Sequence, residues 1–149
     1  MFSKIVLNNI KHFKNKIINV TTIDKRVSRH IIRYFSQDFK KQELKYTTTG
    51  EWLYETPKYT KIGLSQVSID ELSELVYVES NCNEGDIVNQ GDELVVVESV
   101  KATNAVMAPY DCTIVEINEE LENNLEKVNK NPECVETAWF VKVIRVSSG

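Results

Sequence analysis

The stretch Glu84-Gly-Asp-Ile-Val-Asn-Gln-Gly-Asp-Glu-Leu-Val-Val-Val-Glu-Ser-Val-Lys-Ala-Thr-Asn-Ala-Val-Met-Ala-Pro109 decides how this chain folds. Gly85-Asp86 is echoed six residues later by Gly91-Asp92. Each pair marks a tight turn, because glycine supplies a positive φ and aspartate hydrogen-bonds the backbone. After the second turn, Leu94 to Val97 reads as a buried strand running towards a polar turn. Ala102 to Pro109 leads back, which puts Lys101 at the tip of a hairpin.

Outward from this hairpin the sequence predicts more short strands separated by turn signals. Before it come Tyr46 to Leu53, Tyr59 to Leu64, and Leu75 to Ser80, whose LVYVES alternates apolar and polar residues. Within and after it come Asp86 to Val88, Leu94 to Glu98, Ala105 to Ala108, Thr113 to Ile117 and a closing strand from Trp139 to Val146. Ser65 is a good N-cap for a short helix to Leu72, and Asn118 to about Val128 reads as a short polar helix. The predicted fold is mainly β, a flattened antiparallel barrel or sandwich with one or two short helices. A domain of about 110 residues buries roughly two-thirds of its unfolded surface, enough to fold without disulfides.

The full chain has 149 residues and a formal net charge of −4, an average over two unlike parts. Residues 1–37 hold eight basic groups against one acid, Asp24, whereas residues 38–149 hold ten against 21. The basic part carries Ile5, Leu7, Ile10, Phe13, Ile17 and Ile18 at spacings near three and four, the pattern of a cationic amphipathic helix. Lysines interrupt every apolar run, which excludes a secretory signal and fits a mitochondrial transit peptide over residues 1–35. Arg33-Tyr34-Phe35-Ser36 resembles a matrix-protease site with cleavage ahead of Ser36. The expected location is then the mitochondrial matrix, with membrane contact only through the presequence. A basic arm for nucleic acid is the other reading of this segment, but the acidic remainder would repel phosphates, so no nucleic-acid partner is expected.

The only histidines, His12 and His30, lie in the basic segment. Residues 36–149 therefore lack the histidine of a Ser-His-Asp or Cys-His centre and the usual zinc-ligand sets, so neither a catalytic residue nor a metal ligand is assigned. Cys82, Cys112 and Cys134 form no CxxC pair and are expected to be free thiols in the core. Lys101 is the only basic residue between Lys61 and Lys127. A lone lysine at a hairpin tip is available for acylation, which would remove its charge and lengthen its reach. It could equally be an ordinary surface lysine. A Ser99–Lys101 hydrolase dyad is disfavoured, since no glycine near Ser99 offers an oxyanion hole.

Val97-Glu98-Ser99-Val100-Lys101-Ala102 closely resembles the lipoyl-attachment signature of the glycine cleavage H-protein family. The resemblance extends over residues 45 to 146, through Lys45-Tyr46-Thr47, Glu51-Trp52, Ile62-Gly63-Leu64-Ser65, Leu75 to Glu79, Ala108-Pro109, Val115 to Asn118, Glu120-Leu121, Val128-Asn129 and Trp139. It implies a lipoyl-domain-like barrel-sandwich hybrid over residues 36–149, and a non-catalytic carrier. Lys101 would be joined to lipoic acid as N6-lipoyllysine, with Glu98, Ser99, Val100 and Ala102 serving recognition by the lipoylating enzyme. In such a family the arm collects an aminomethyl group from glycine at a pyridoxal-phosphate glycine decarboxylase. It then delivers the group to a tetrahydrofolate-dependent aminomethyltransferase, and dihydrolipoyl dehydrogenase reoxidises it.

The departures from the family pattern are local. Gly50 stands where a histidine usually precedes Glu-Trp, near the cleft that shelters the loaded arm, and Val95 and Val96 replace a glycine and a small residue. Cys112 replaces a turn glycine, two extra residues lie between Pro132 and Trp139, and the C-terminal helix common in the family has no counterpart before Gly149. Two further functions stay open at this point. One is a lipoyl relay to other enzymes' carrier domains, and the other is a biotin carrier, although Val100 and Ala102 stand where methionines usually flank a biotinyl lysine.

Overall fold

The computed structural model describes residues 43–147, so the expected presequence over residues 1–35 lies outside the described residues. Nine strands, all paired antiparallel among the described residues, form two sheets. The six-stranded sheet holds β1 (Lys45–Tyr46), β2 (Glu51–Glu55), β3 (Thr60–Leu64), β9 (Val141–Arg145), β8 (Cys112–Ile117) and β5 (Ile87–Val88), in that spatial order. The three-stranded sheet places β6 (Glu93–Ser99) between β4 (Leu75–Ser80) and β7 (Thr103–Met107). Ile62, Leu64, Ile114, Val141 and Val143 from the larger sheet and Val78, Leu94, Val97 and Val106 from the smaller pack into one buried cluster. This is the mainly β, two-layered antiparallel fold that the turn spacing predicts.

Helix α1 (Gln66–Leu72) begins where the sequence indicates, with Ser65 Oγ accepting from Ser68 N at 3.2 Å. The buried Ile69 and Leu72 lie on one face of this helix, three residues apart, and join the core. The expected polar helix from Asn118 to Val128 is instead two pieces, a 3-10 turn (Glu119–Glu122) and α2 (Glu126–Lys130). The buried Leu121 and Val128 pin them to the core separately.

The expected strand from Tyr46 to Leu53 is a hairpin, β1 and β2, around the turn Thr47–Gly50. Threonine-rich sequence conceals this turn, which Gly50 makes possible by adopting φ +101°. The alternation in LVYVES is also interrupted. A bulge between Leu75 and Tyr77 leaves Val76 and Tyr77 both exposed while Leu75 and Val78 are buried. Trp139 and Phe140 precede β9, where Phe140 N donates to Ile62 O at 2.8 Å without lying in a strand.

The Gly-Asp echo becomes two equivalent turns at the base of one long hairpin. Gly85 and Gly91 take φ +91° and +88°, and Asp86 and Asp92 side chains accept from Asn83 N and Asn89 N, each at 2.8 Å. Gly85 N donates to Ile114 O and Gly91 N to Ala108 O, while Ile114 N donates to Asp86 O and Ala108 N to Asp92 O. Ile87 pairs with Thr113, Val88 with Cys112 and Glu93 with Met107, all in the same register. The two arms thus pass from the larger sheet into the smaller one as a single antiparallel pair. The register slips once, at the bulge between Glu93 and Val95, before Glu98 meets Thr103 below the tip.

Candidate functional site

Lys101 lies in the exposed turn between β6 and β7, one residue after the exposed Val100. Ser99 shapes this turn. Its Oγ accepts from Lys101 N and Ala102 N, both at 3.1 Å, and approaches Ala102 O at 3.2 Å, while Ser99 N donates to Ala102 O at 2.9 Å. One hydroxyl therefore holds backbone groups that a free loop would leave to water, and the tip becomes a defined turn. No ion pair among the described residues includes Lys101. An exposed amine without a carboxylate partner, on an ordered turn, has the access that acylation requires, and in this respect the site fits a lipoyl group.

The other residues named from the motif divide by position. Val100 and Ala102 flank the lysine and are exposed, and Glu98 is exposed on β6 opposite Thr103. Ser99 is half-buried, and its hydroxyl bonds the turn backbone and shapes the tip. Beside the tip, Asn129 closes the start of β4. Its Oδ1 accepts from Leu75 N at 2.9 Å and its Nδ2 donates to Leu75 O at 3.0 Å, beside the Leu75–Ser99 pair.

Glu51 is a buried carboxylate that the motif reading passed over. Thr47 Oγ1 and Thr49 Oγ1 donate to its Oε2, and Met107 N donates to Oε1 at 2.9 Å, joining the turn before β2 to the end of β7. A charge out of water is tolerable only with such donors. The sequence signal was a glutamate followed by two apolar residues, with three threonines just upstream, two of which bond it. Gly50, the departure beside it, is explained by packing: a Cβ there would run into Ser68 Oγ, which itself donates to Gly50 O at 2.8 Å.

Of the cysteines, Cys82 and Cys112 are buried as expected, whereas Cys134 is half-buried in the turn between α2 and Trp139. Burial pushes the Cys112 thiol up to about 11, with Cys82, Asp111 and Asp92 adding to the effect, and burial raises Cys82 too. The Thr137 side chain bonds to the sulfur of Cys134 and holds that thiol below its ordinary value. The thiolate is the nucleophile, so iodoacetamide at neutral pH should alkylate Cys134 first and leave Cys82 and Cys112 unmodified until the protein unfolds. Labelling should speed up as pH rises, at a lower pH for Cys134 than for a free cysteine. Peptide mass mapping checks both, and modification of Cys112 in the folded protein would contradict them.

Among the described residues no helix is long and apolar enough to cross a membrane, and no group of three or more His, Cys, Asp or Glu side chains is placed to hold a metal. The family model of the glycine cleavage H-protein matches residues 44–148. The glycine cleavage system H protein of Staphylococcus epidermidis is 40% identical over 101 residues, covering 68% of this chain and 78% of that one. That of Staphylococcus carnosus is 40% identical over 102 residues, covering 68% and 79%. The crystal structure of a glycine cleavage system H protein from Mycobacterium marinum, at 24% identity, superposes with a TM-score of 0.63 over 72% of this chain and 87% of that one, which supports the fold. With Glu98-Ser-Val-Lys-Ala102 on the tip of a two-sheet hairpin and the family match spanning both sheets, this chain belongs to the glycine cleavage H-protein family.

Proposed function

We infer that this protein is the non-catalytic lipoyl carrier of the glycine cleavage system, with Lys101 as the attachment residue. The observation that carries this is the placement of an unpaired lysine within Glu98-Ser-Val-Lys-Ala102, on a turn fixed by Ser99. The bound lipoyl group supplies a dithiol on which an aminomethyl group is carried. The chain contributes the rest: it presents one amine, holds its base in a fixed turn, and leaves the approach to the tip open to protein partners. A tethered group stays at high local concentration for successive enzymes without leaving the carrier. Those enzymes are the glycine decarboxylase, the aminomethyltransferase and dihydrolipoyl dehydrogenase, after a lipoylating enzyme has acted on the exposed motif.

Residues 1–35 are proposed as a mitochondrial transit peptide and residues 36–149 as the carrier that works in the matrix. The excess of basic groups, the amphipathic spacing and Arg33-Tyr34-Phe35-Ser36 support this, and the family match begins downstream, at residue 44. Intact mass and peptide mapping of the native protein test both parts. The expected species begins near Ser36 and carries one lipoyl group on the Lys101 peptide. A native protein without any lipoyl addition overturns the carrier assignment, and one that keeps residues 1–35 overturns the targeting assignment.

A further inference from the structure

The solvent face of the three-stranded sheet beside Lys101 combines apolar and acidic side chains. Tyr77 is 46% exposed, Val76 55% and Val100 78%, unusually open for side chains of this size. Tyr77 and Glu79, two apart on β4, share a face, and Glu98 lies directly opposite Tyr77 on β6. The 3-10 turn that carries the exposed Glu122 packs against β4, and the Tyr77 phenol is raised above its ordinary value first by the charge of Glu79, then by burial, with smaller contributions from Glu98 and Glu122. None of these three carboxylates is in an ion pair among the described residues, although Glu120, Glu116, Glu126 and Glu136 each have a lysine. Three uncompensated negative charges around one open aromatic ring make a surface that lacks its cations.

We propose that Tyr77, Glu79, Glu98 and Glu122, flanked by Val76 and Val100, form the docking surface for a partner protein whose entrance is lined with arginine or lysine. This rests on Lys101 as the attachment residue, because any enzyme that accepts the arm must approach the tip and so covers this face. Leu75 is paired with Ser99, and neighbouring strands lie about 4.8 Å apart, so the Tyr77 ring stands within a few residues' reach of the arm's base. An arginine of the partner can stack on the ring and meet a carboxylate at its edge. Acylation also removes the one positive charge at the tip, that of Lys101, so the lipoylated protein attracts such a surface more strongly than the unmodified protein does.

The test uses lipoylated protein, verified by mass, as the varied substrate of its cognate glycine decarboxylase. The double variant Glu79→Lys/Glu122→Lys is compared with Glu84→Lys/Glu93→Lys, which has the same net charge but places it far from the tip along the hairpin. The patch variant is expected to raise KM about tenfold with kcat unchanged, a gap that narrows as salt increases, while the remote variant changes KM less than about twofold. Tyr77→Ala, at an exposed position on β4 and with its fold checked by circular dichroism, is expected to raise KM several-fold. Equal effects of the patch and remote variants, or none from Tyr77→Ala, overturn the docking surface and leave the carrier assignment intact. Wild-type protein that carries no lipoyl group on Lys101 overturns the attachment reading first, and the docking surface with it.

Discussion

A Lys101→Arg variant is expected to accumulate as a folded protein of unmodified mass that supports no glycine cleavage above background. Arginine keeps the positive charge and most of the length, so the comparison isolates chemistry from electrostatics. Amide formation needs an amine that can release its proton, and a guanidinium does not do so at any physiological pH. Stability should stay within about 0.5 kcal/mol of wild type, because position 101 is exposed and outside every ion pair among the described residues. The measurement is a pair: intact mass after expression with the lipoylating enzyme, and glycine decarboxylation in the reconstituted system. A lipoyl addition that survives the substitution would place the attachment elsewhere.

Trp52→Ala should produce the largest loss of stability. The Trp52 side chain is fully buried, and its Nε1 donates to Pro132 O at 2.7 Å, tying β2 to the loop after α2. The ring lies against Gly63 across the β2–β3 pair, where a Cβ would fall inside van der Waals contact with the indole. Glycine here is the space the ring occupies, so truncating the ring opens a cavity beside Gly63. Removing a large buried aromatic costs about 3–5 kcal/mol, a large share of the roughly 5–15 kcal/mol available to a domain. Leaving Pro132 O without its donor pushes the cost to the upper part of that range. Urea unfolding should show a lower midpoint with an unchanged slope. A loss under about 1 kcal/mol would mean that the indole contributes far less than its burial implies.

The sequence was most readable where one physical signal acted alone. LVYVES marks β4 to the residue, Ser65 marks the start of α1, and the Gly-Asp pairs mark the two turns below the hairpin. It was least readable where tertiary partners decided. Nothing local shows that Thr47 and Thr49 leave the strand to bond the carboxylate of Glu51, since threonine favours strands and the glutamate's other partner, Met107 N, is distant in sequence. The bulge beside Leu75 turns Tyr77 outward against the simple alternation, and with it goes the face on which a partner would sit. Cys134 looked like a core residue by composition, but its loop leaves it half-open. At the candidate site the motif singled out Lys101, proposed here as the attachment residue, and nothing local showed that the Ser99 hydroxyl would hold the turn beneath it.

The shared register of the two hairpin arms has a further consequence for how the chain can change length. From Gly85 to Glu93 the strand pairs Ile87–Thr113, Val88–Cys112 and Glu93–Met107, with the repeated turn bonds to Ile114 and Ala108, hold this arm to the return arm in one register. A residue lost from one arm alone would turn every side chain beyond it to the opposite face and slide the lysine off the apex. Matched losses or gains, one on each arm, would keep the faces and merely move the apex inward or outward. The hairpin therefore works as a ruler, and Lys101 stands at its end by count.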